Sequence, residues 1–192
     1  MKDLYNIGVV ILSAGESSRM NSPKAFLKYD LNRRFIDKII DEYKVFGINN
    51  IVVVINKSII TQLKLKDDIS ICINEHLEYE RFYSIKLGLE KIGKCVHCFI
   101  QNIDNPFVNQ FVLNKLFIHK IKSGCTIPIF QKHGGHPVLL GEEIINKILS
   151  TKEMNLNFKD ILNEFPGKRV DVDDESILRN INTLEDYNKY FN

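Results

Sequence analysis

Two short, unbroken apolar runs place the strongest constraint on how this chain can fold. Residues 7–12 read IGVVIL and residues 50–56 read NIVVVIN. Runs of this length, rich in β-branched residues, are typical of strands buried on both faces, whereas a strand with one solvent-facing side alternates apolar and polar residues. Each run therefore predicts a strand in a sheet that other elements cover on both sides.

Helical patterns alternate with such strands along the chain. Residues 34–47 carry a helical stripe of apolar side chains, and Gly47 stands where a helix cap is expected. The other predicted strands are 69–74, 95–101, 125–130, 136–140 and 168–172, and the other predicted helices are 58–65 (short), 79–93, 109–124, 142–150, 157–164 and 183–191. This alternation predicts an α/β fold, a three-layer sandwich in which helices cover both faces of a mostly parallel, Rossmann-like sheet.

The length and composition fit one domain with one sizeable core. The chain has 192 residues, of which 44% are hydrophobic and 26% charged, and its formal net charge is +2. So small a net charge gives no electrostatic reason to expect a nucleic-acid partner. No apolar run approaches the roughly 20 residues of a membrane span. We therefore expect a single domain over 1–192, in the cytoplasm, with no membrane or nucleic-acid partner.

The four cysteines include one closely spaced pair, Cys95 and Cys98. A zinc or redox site would need a second ligand pair at matching spacing, or a helix N-terminus beside the pair, and neither is visible. Residues 95–101 read as a strand, and strand residues three apart point to opposite faces. We expect reduced thiols in a cytosolic core.

A polar segment, residues 13–24, follows the first predicted strand. It is built mostly of small residues, with Arg19 and Lys24 as its long cations. Ligands of parallel sheets bind at the carboxyl ends of the strands, which is where this segment lies. Small residues let backbone N–H groups approach an anion, and the two cations add charge. The spacing fits neither the P-loop nor the dinucleotide fingerprint. The segment predicts a polyphosphate cradle, and the alternative is a mobile loop with two solvated cations.

Several segments together resemble one family of nucleotidyltransferases. ILSAGESSRMNSPKAFLKY (11–29) is similar to the signature L-x-A-G-x-S-x-R-M-x-x-P-K of enzymes that resemble molybdopterin guanylyl- and cytidylyltransferases, the MobA-like NTP transferases. RFYSIKLGL (81–89), QNIDNPFV (101–108), GGHPVLL (134–140) and ILRNINTLEDYNKY (177–190) resemble later motifs of these enzymes in order and distance. The resemblance implies the GT-A-like fold of nucleotide-diphospho-sugar transferases and a Mg²⁺-dependent transfer from a nucleoside triphosphate.

The resemblance also implies the nucleotide site. Arg19 and the loop amides would hold the β- and γ-phosphates, and Lys24 would reach the α-phosphate. Tyr79, Phe82 and Tyr83 would pack the base or fill the core. The implied nucleotide-binding residues are Leu12, Ser13, Ala14, Gly15, Arg19, Lys24, Asn74, Arg81, Ser84 and Asn102. For Arg81 the alternative is a solvated surface cation, and for Asn74 a turn.

The metal site is expected at Asp104, because an aspartate after a strand offers Mg²⁺ a hard oxygen ligand beside the substrate phosphates. The alternative is a cap for the next helix. Asn182 is a weaker candidate ligand. Related cytidylyltransferases mostly have Asp-Ile-Asp-Thr where this chain has Asn-Ile-Asn-Thr, so a second anionic ligand is missing. Asn182 or Thr183 could instead cap the last helix.

The acceptor side is assigned to His136, Asn180 and Asn182, with His136 positioning the acceptor or serving only the structure. We expect the acceptor phosphate to attack the α-phosphorus and release pyrophosphate, with Arg19, Lys24 and Asp104 as the catalytic residues. The 81–84 and 135–138 segments favour CTP, whereas Asn-Ile-Asn favours GTP. We expect the acceptor to be of the molybdopterin type, and the alternative is a phosphorylated sugar, polyol or other small phosphate. A non-catalytic nucleotide-binding regulator is the competing class.

Overall fold

The computed structural model describes residues 4, 6–15, 17, 19–20 and 22–191, and for Glu80 it describes only the backbone. Of the motif residues discussed above, Glu16, Ser18 and Asn21 lie outside the described residues. The strands are β1 (Ile7–Ser13), β2 (Asn50–Asn56), β3 (Ser70–Asn74), β4 (His97–Asn102), β5 (Cys125–Phe130), β6 (His133–Gly134), β7 (Val138–Gly141) and β8 (Gly167–Asp171).

Six helices are described, together with short 3₁₀ turns. They are α1 (Phe35–Phe46), α2 (Glu80–Ile92), α3 (Gln110–Ile118), α4 (Glu142–Ser150), α5 (Phe158–Asn163) and α6 (Leu184–Phe191). Gly47 caps α1 with a left-handed φ of 102°, and its N–H donates to the carbonyl of Lys44, as the sequence predicts. None of the described helices is long and apolar enough to cross a membrane.

The eight strands form one mixed sheet with the order β3-β2-β1-β4-β7-β5-β6, and β8 pairs with β5. Strands β1 to β4 are mutually parallel, whereas β7 is antiparallel to both β4 and β5. This confirms the mostly parallel α/β sandwich. Because the first four strands run the same way, their polar last residues meet at one edge: Ser13, Asn56, Asn74 and Asn102.

The core lies on both faces of the sheet. Val9 and Ile11 of β1 pack with α1 and α3, Val10 packs with α2, and all three are fully buried. Burial of each such side chain contributes about 1.5–3 kcal/mol. Gly88 lets α2 lie unusually close to the sheet, because a Cβ there would stand 2.3 Å from Cγ1 of Val10. The apolar runs are thus buried on both faces, as their pattern predicts.

Helix α3 is shorter than predicted, because it ends at Ile118 rather than near residue 124. The imidazole of His119 caps it, with Nδ1 2.8 Å from the carbonyl oxygen of Lys115. The following backbone bonds to the β7–α4 junction, where Gly141 N–H donates to the carbonyl of Gly124. Gly124 is therefore a point of close backbone packing and not a helix cap, and a Cβ there would lie 1.9 Å from the carbonyl oxygen of Pro166.

Two other local predictions are wrong. Residues 58–65 contain only the 3₁₀ turn Lys57–Ile59 followed by a hydrogen-bonded turn. Strand β4 begins at His97, so Cys95 precedes it and packs in the same core cluster as Cys98 instead of on the opposite face. Both thiols are buried and free, and Cys98 is fully desolvated, which raises its pKa well above the usual value. Among the described residues no cluster of three or more metal-ligating side chains includes them.

Candidate active site

A cavity of about 760 Å³ opens at the carboxyl ends of β1, β3 and β4. It is lined by Leu12, Ser13, Ala14, Gly15, Ser17, Arg19, Pro23, Lys24, Asn74, Leu77, Glu78, Arg81, Ser84, Asn102, Ile103, Asp104 and Asn182. The fold brings together in this lining every residue that the sequence assigns to nucleotide binding or to a metal. His136 and Asn180 do not line the cavity.

The loop after β1 is held at both of its ends. The side-chain amide of Asn56, at the end of β2, donates to the carbonyl of Ala14 over 3.1 Å. Ser17 has a φ of 52°, its carbonyl accepts from Met20 N–H, and its hydroxyl accepts from Lys24 N–H. These hydrogen bonds fold the described part of the loop back toward Lys24. Small residues of the loop and the cations Arg19 and Lys24 line the same cavity.

Lys24 links three segments that are far apart in the sequence. Its Nζ lies 2.7 Å from Oδ1 of Asn182 and 3.5 Å from Oδ2 of Asp104. The side chains of Lys24 and Asp104 are only 14% and 23% exposed, so their attraction is screened less than that of a surface pair. Lys24 thus stands as a cation between the two oxygen donors that the sequence assigns to a metal.

The donors present fit a magnesium ion that shares its coordination with substrate phosphates. Oδ1 of Asp104 is buried and has no hydrogen-bond partner among the described residues. Asn182 adds a neutral amide oxygen, and hard oxygen donors of these two kinds suit Mg²⁺. The chain supplies one carboxylate and one amide here and too few ligands for a complete cage, so phosphates and water would have to complete the octahedron.

The side chain of Asn182 takes no part in capping the last helix, because other residues do so, and its Oδ1 contacts Lys24 instead. The hydroxyl of Thr183 accepts from Asp186 N–H, and the carboxylate of Asp186 accepts from the N–H groups of Thr183 and Asn182. This is a capping box, and it needs no side chain from Asn182. The hydrogen bonds from Asn182 N–H and from Thr183 stabilise the carboxylate and lower the pKa of Asp186. Of the two residues that could cap the last helix, it is therefore Thr183 and not Asn182 that does so.

Ser84 and Asn74 form a buried polar pair at the other end of the cavity. The amide of Asn74 donates to the hydroxyl of Ser84 over 2.9 Å, and its Oδ1 accepts from His76 N–H. Because the Ser84 oxygen accepts this bond, its own proton remains for another acceptor. Arg81 lies one turn earlier on α2 and also lines the cavity.

His136 lies behind the cavity wall. Its Nε2 is 3.1 Å from Nδ2 of Asn102, and since an amide nitrogen only donates, Nε2 accepts. Burial, and to a smaller extent the positive charge of Arg81, lowers the pKa of His136 to about 4, so the ring is neutral near pH 7. The ring proton is then on Nδ1, which is buried without a partner among the described residues. His136 reaches the cavity through Asn102.

A family model for the MobA-like NTP transferase domain matches residues 9–165. The chain belongs to the MobA-like NTP transferase family. It is therefore a nucleotidyltransferase, as its motifs indicate. No curated protein matches this MobA-like chain in sequence.

Solved structures share the fold of this MobA-like transferase over nearly its whole length. Rv0371c of Mycobacterium tuberculosis, in a complex with manganese, has a TM-score of 0.76 at 16% identity over 96% of this chain and 97% of that one. Molybdopterin-guanine dinucleotide biosynthesis protein A of Archaeoglobus fulgidus has a TM-score of 0.71 at 19% sequence identity, and the match covers 95% of this chain and 96% of that one. 4-Diphosphocytidyl-2C-methyl-D-erythritol synthase of Anaerococcus prevotii has a TM-score of 0.72 at 15% sequence identity, and the match covers 96% of this chain and 93% of that one. Identities this low show the shared fold alone.

Sequence reasoning missed a buried residue that joins two parts of the MobA-like site. Asn105 is fully buried, and its Nδ2 lies within hydrogen-bond distance of the carbonyls of Ser176, Ile177 and Arg179, at 3.1, 3.3 and 2.8 Å. Next to it, Ile181 N–H donates to the carbonyl of Asp104 over 2.7 Å. Asn105 thus holds the segment that carries Asn182 against the loop that carries Asp104. The sequence indicates the role of Asn105 only by placing a polar residue directly before Pro106.

Replacing Asn105 by alanine is expected to lower the free energy of unfolding by about 2–3 kcal/mol, because several buried carbonyls lose their donor. Chemical denaturation of the variant and of an Asn155→Ala control, an exposed loop position, measures this difference. Equal stability of the two variants would contradict the role assigned to Asn105.

Proposed function

We propose that this chain transfers a nucleoside monophosphate from a triphosphate to a phosphorylated small molecule, with Mg²⁺, releasing pyrophosphate. CTP is favoured over GTP, and the leading acceptor is a molybdopterin-type cofactor, which would place the chain in molybdenum cofactor biosynthesis. The observation that carries the proposal is the Lys24–Asp104–Asn182 cluster, which joins the end of the polar segment 13–24 to two other segments in the lining of one cavity. The volume of the cavity is within the range typical of small-molecule sites.

The geometry supports an in-line displacement without a covalent enzyme intermediate. The loop after β1 and Arg19 would hold the β- and γ-phosphates, and Lys24 would leave Asn182 for the α-phosphate and follow its charge into the transition state. Asp104 and Asn182 would hold the Mg²⁺ ion, which when bound supplies neutralisation of the phosphate charge. The attacking phosphate oxygen is already anionic, so the reaction needs no strong general base.

The nucleoside would lie over β2 and β3, where Ser84 and Asn74 offer hydrogen bonds to a base. Their pairing fixes the orientation of both groups before a ligand arrives, so little ordering is needed on binding. Rv0371c in its manganese complex and the molybdopterin-guanine dinucleotide protein share this fold, and they fit a divalent metal and a pterin acceptor. The 4-diphosphocytidyl-2C-methyl-D-erythritol for which the Anaerococcus prevotii synthase is named supports the broader class of small phosphate acceptors.

Pyrophosphate release is the direct test. The protein is incubated with CTP or GTP, Mg²⁺ and each candidate acceptor: molybdopterin, methylerythritol 4-phosphate, ribitol 5-phosphate and a hexose 1-phosphate. We expect acceptor-dependent pyrophosphate with one triphosphate preferred, and none with EDTA. Tight triphosphate binding without pyrophosphate release for any acceptor would favour the alternative, a non-catalytic nucleotide-binding regulator. The reason for considering that alternative is that Asn182 stands where a second carboxylate is expected.

A further inference from the structure

Arg81 is a cation in the cavity wall that has no anionic partner among the described side chains. It lies in the first turn of α2, and its guanidinium carbon is 5.4 Å from the centre of the Phe158 ring. Its Nε is buried with no hydrogen-bond partner among the described residues, and no described carboxylate forms an ion pair with it. The contact with an aromatic ring attracts the cation but uses none of its N–H donors, so these remain for another group.

An unpaired guanidinium in such a place is unfavourable for the folded protein alone. Burial lowers the pKa of Arg81, and only the charge of Asp104, beyond ion-pair distance, acts in the opposite direction. The group nevertheless stays charged near neutral pH. Arg81 is partly buried, and arginines withdrawn from water are normally paired with an oxyanion, because a charge that loses hydration without a partner weakens the fold. The missing partner is therefore expected to come from a ligand.

The position of Arg81 separates it from the other cations of the cavity. In the sheet order, β1 lies between β2–β3 on one side and β4–β7 on the other. Asn74 and Ser84 mark the β3 side. The Arg81 side chain reaches Phe158 of α5 and lies close enough to His136, just before β7, to lower the pKa of that imidazole. Arg81 thus faces the β4–β7 half, whereas Lys24 and Arg19 belong to the loop after β1.

We propose that Arg81 binds the phosphate of the acceptor, rather than a phosphate of the nucleotide. The inference rests on the proposed function, and it names the residue that holds the attacking group. An oxygen of the acceptor phosphate forms the new bond to the α-phosphorus, while the bond from that phosphorus to the bridging oxygen breaks and its electron pair leaves with pyrophosphate. Arg81 would hold the attacking phosphate by two parallel N–H bonds, opposite the leaving pyrophosphate at the loop.

Inorganic phosphate serves as the probe, because the acceptor is not identified. The protein is saturated with Mg²⁺ and the α,β-methylene analogue of CTP, or of GTP if that binds better, so that the loop after β1 is occupied. Phosphate is then titrated by calorimetry against sodium chloride of equal ionic strength. We expect saturable binding that Arg81→Gln weakens about 10-fold or more. Arg169→Gln, at an exposed position of β8, should leave it unchanged.

Two results would overturn the inference. The first is that phosphate does not bind the wild-type ternary mixture, or binds Arg81→Gln equally well. The second is that Arg81→Gln weakens the nucleotide analogue as much as Arg19→Gln does, which would return Arg81 to the nucleotide site. Failure of the proposed function has a different signature, since phosphate binding at Arg81 would persist while no acceptor yields pyrophosphate.

The thermal stability of Arg81→Met distinguishes a ligand site from a structural role. Methionine keeps much of the side-chain volume and the contact with Phe158 but removes the unpaired charge. We expect a Tm equal to or above that of the wild type without ligand, and loss of phosphate binding. A marked fall in Tm would show that the charge of Arg81 stabilises the fold, which contradicts the proposal.

Discussion

Replacing Lys24 by alanine is expected to lower turnover by about 100-fold or more, with a smaller effect on the affinity for the triphosphate. A preorganised charge aimed at the reacting phosphate stabilises the transition state more than the ground state, and loss of one such group typically costs this much. The position of Lys24 is fixed by the backbone bond to Ser17 and by Asn182. Single-turnover kinetics at saturating Mg²⁺ and nucleotide measure the effect.

For the same variant we expect Mn²⁺ affinity not to fall, in contrast to turnover. Nζ of Lys24 lies beside both candidate metal donors, at 2.7 Å from Asn182 and 3.5 Å from Asp104. Removing this positive charge should leave Mn²⁺ binding to the nucleotide-free protein equal or tighter, because like charges repel. Lys168→Ala, an exposed lysine of β8, is the matched control and should change neither quantity. Near-normal turnover in Lys24→Ala would exclude the catalytic role.

Replacing Asp104 by asparagine is expected to lower metal-dependent turnover by about 1,000-fold or more. The substitution keeps the shape of the side chain but removes the carboxylate that would anchor the ion, and metal stabilisation of phosphoryl charge is worth several kcal/mol. Oδ1 of Asp104 is buried and has no partner in the described part of the chain, which leaves this oxygen for a metal ion. Mn²⁺ binding to the nucleotide-free protein, followed by water-proton relaxation, should be lost together with turnover.

The control for Asp104 is Asp173→Asn, which changes an exposed carboxylate outside the cavity. It should bind Mn²⁺ and turn over like the wild type. Retained metal binding in Asp104→Asn would place the ion elsewhere. Since Lys24→Ala and Asp104→Asn differ in their expected Mn²⁺ affinity, the pair separates a metal ligand from a neighbouring cation.

Most of the fold could be predicted because its signals are local. The apolar run 50–56 corresponds to β2, residues 125–130 to β5, and residues 142–150 to α4. The predictions failed where backbone contacts across the chain outweighed a local pattern. Helix α3 stops at Ile118 because His119 caps it and because the following segment pairs with the β7–α4 junction.

The candidate site was predictable to the extent that it follows directly after strands. Asp104 and Asn74 end or follow strands that run parallel to β1, so their convergence with the loop after β1 follows from the parallel sheet. His136 shares that edge for a different reason. Strand β7 is antiparallel to β4, which places the residues before β7 at the carboxyl end of β4. The direction of β7 could not be read from its sequence.

The sequence by itself determined the layered α/β fold, the family and the edge of the sheet where a ligand would bind, because apolar periodicity and motif spacing are properties of neighbouring residues. Only the tertiary structure decided that Lys24 meets Asn182, that Asn105 holds the C-terminal segment, and that Arg81 lines the cavity with no ion pair to any carboxylate that the structure describes. These facts depend on side chains from segments as much as 158 positions apart. Their distances and burial are set by how helices and strands pack, which no local pattern encodes.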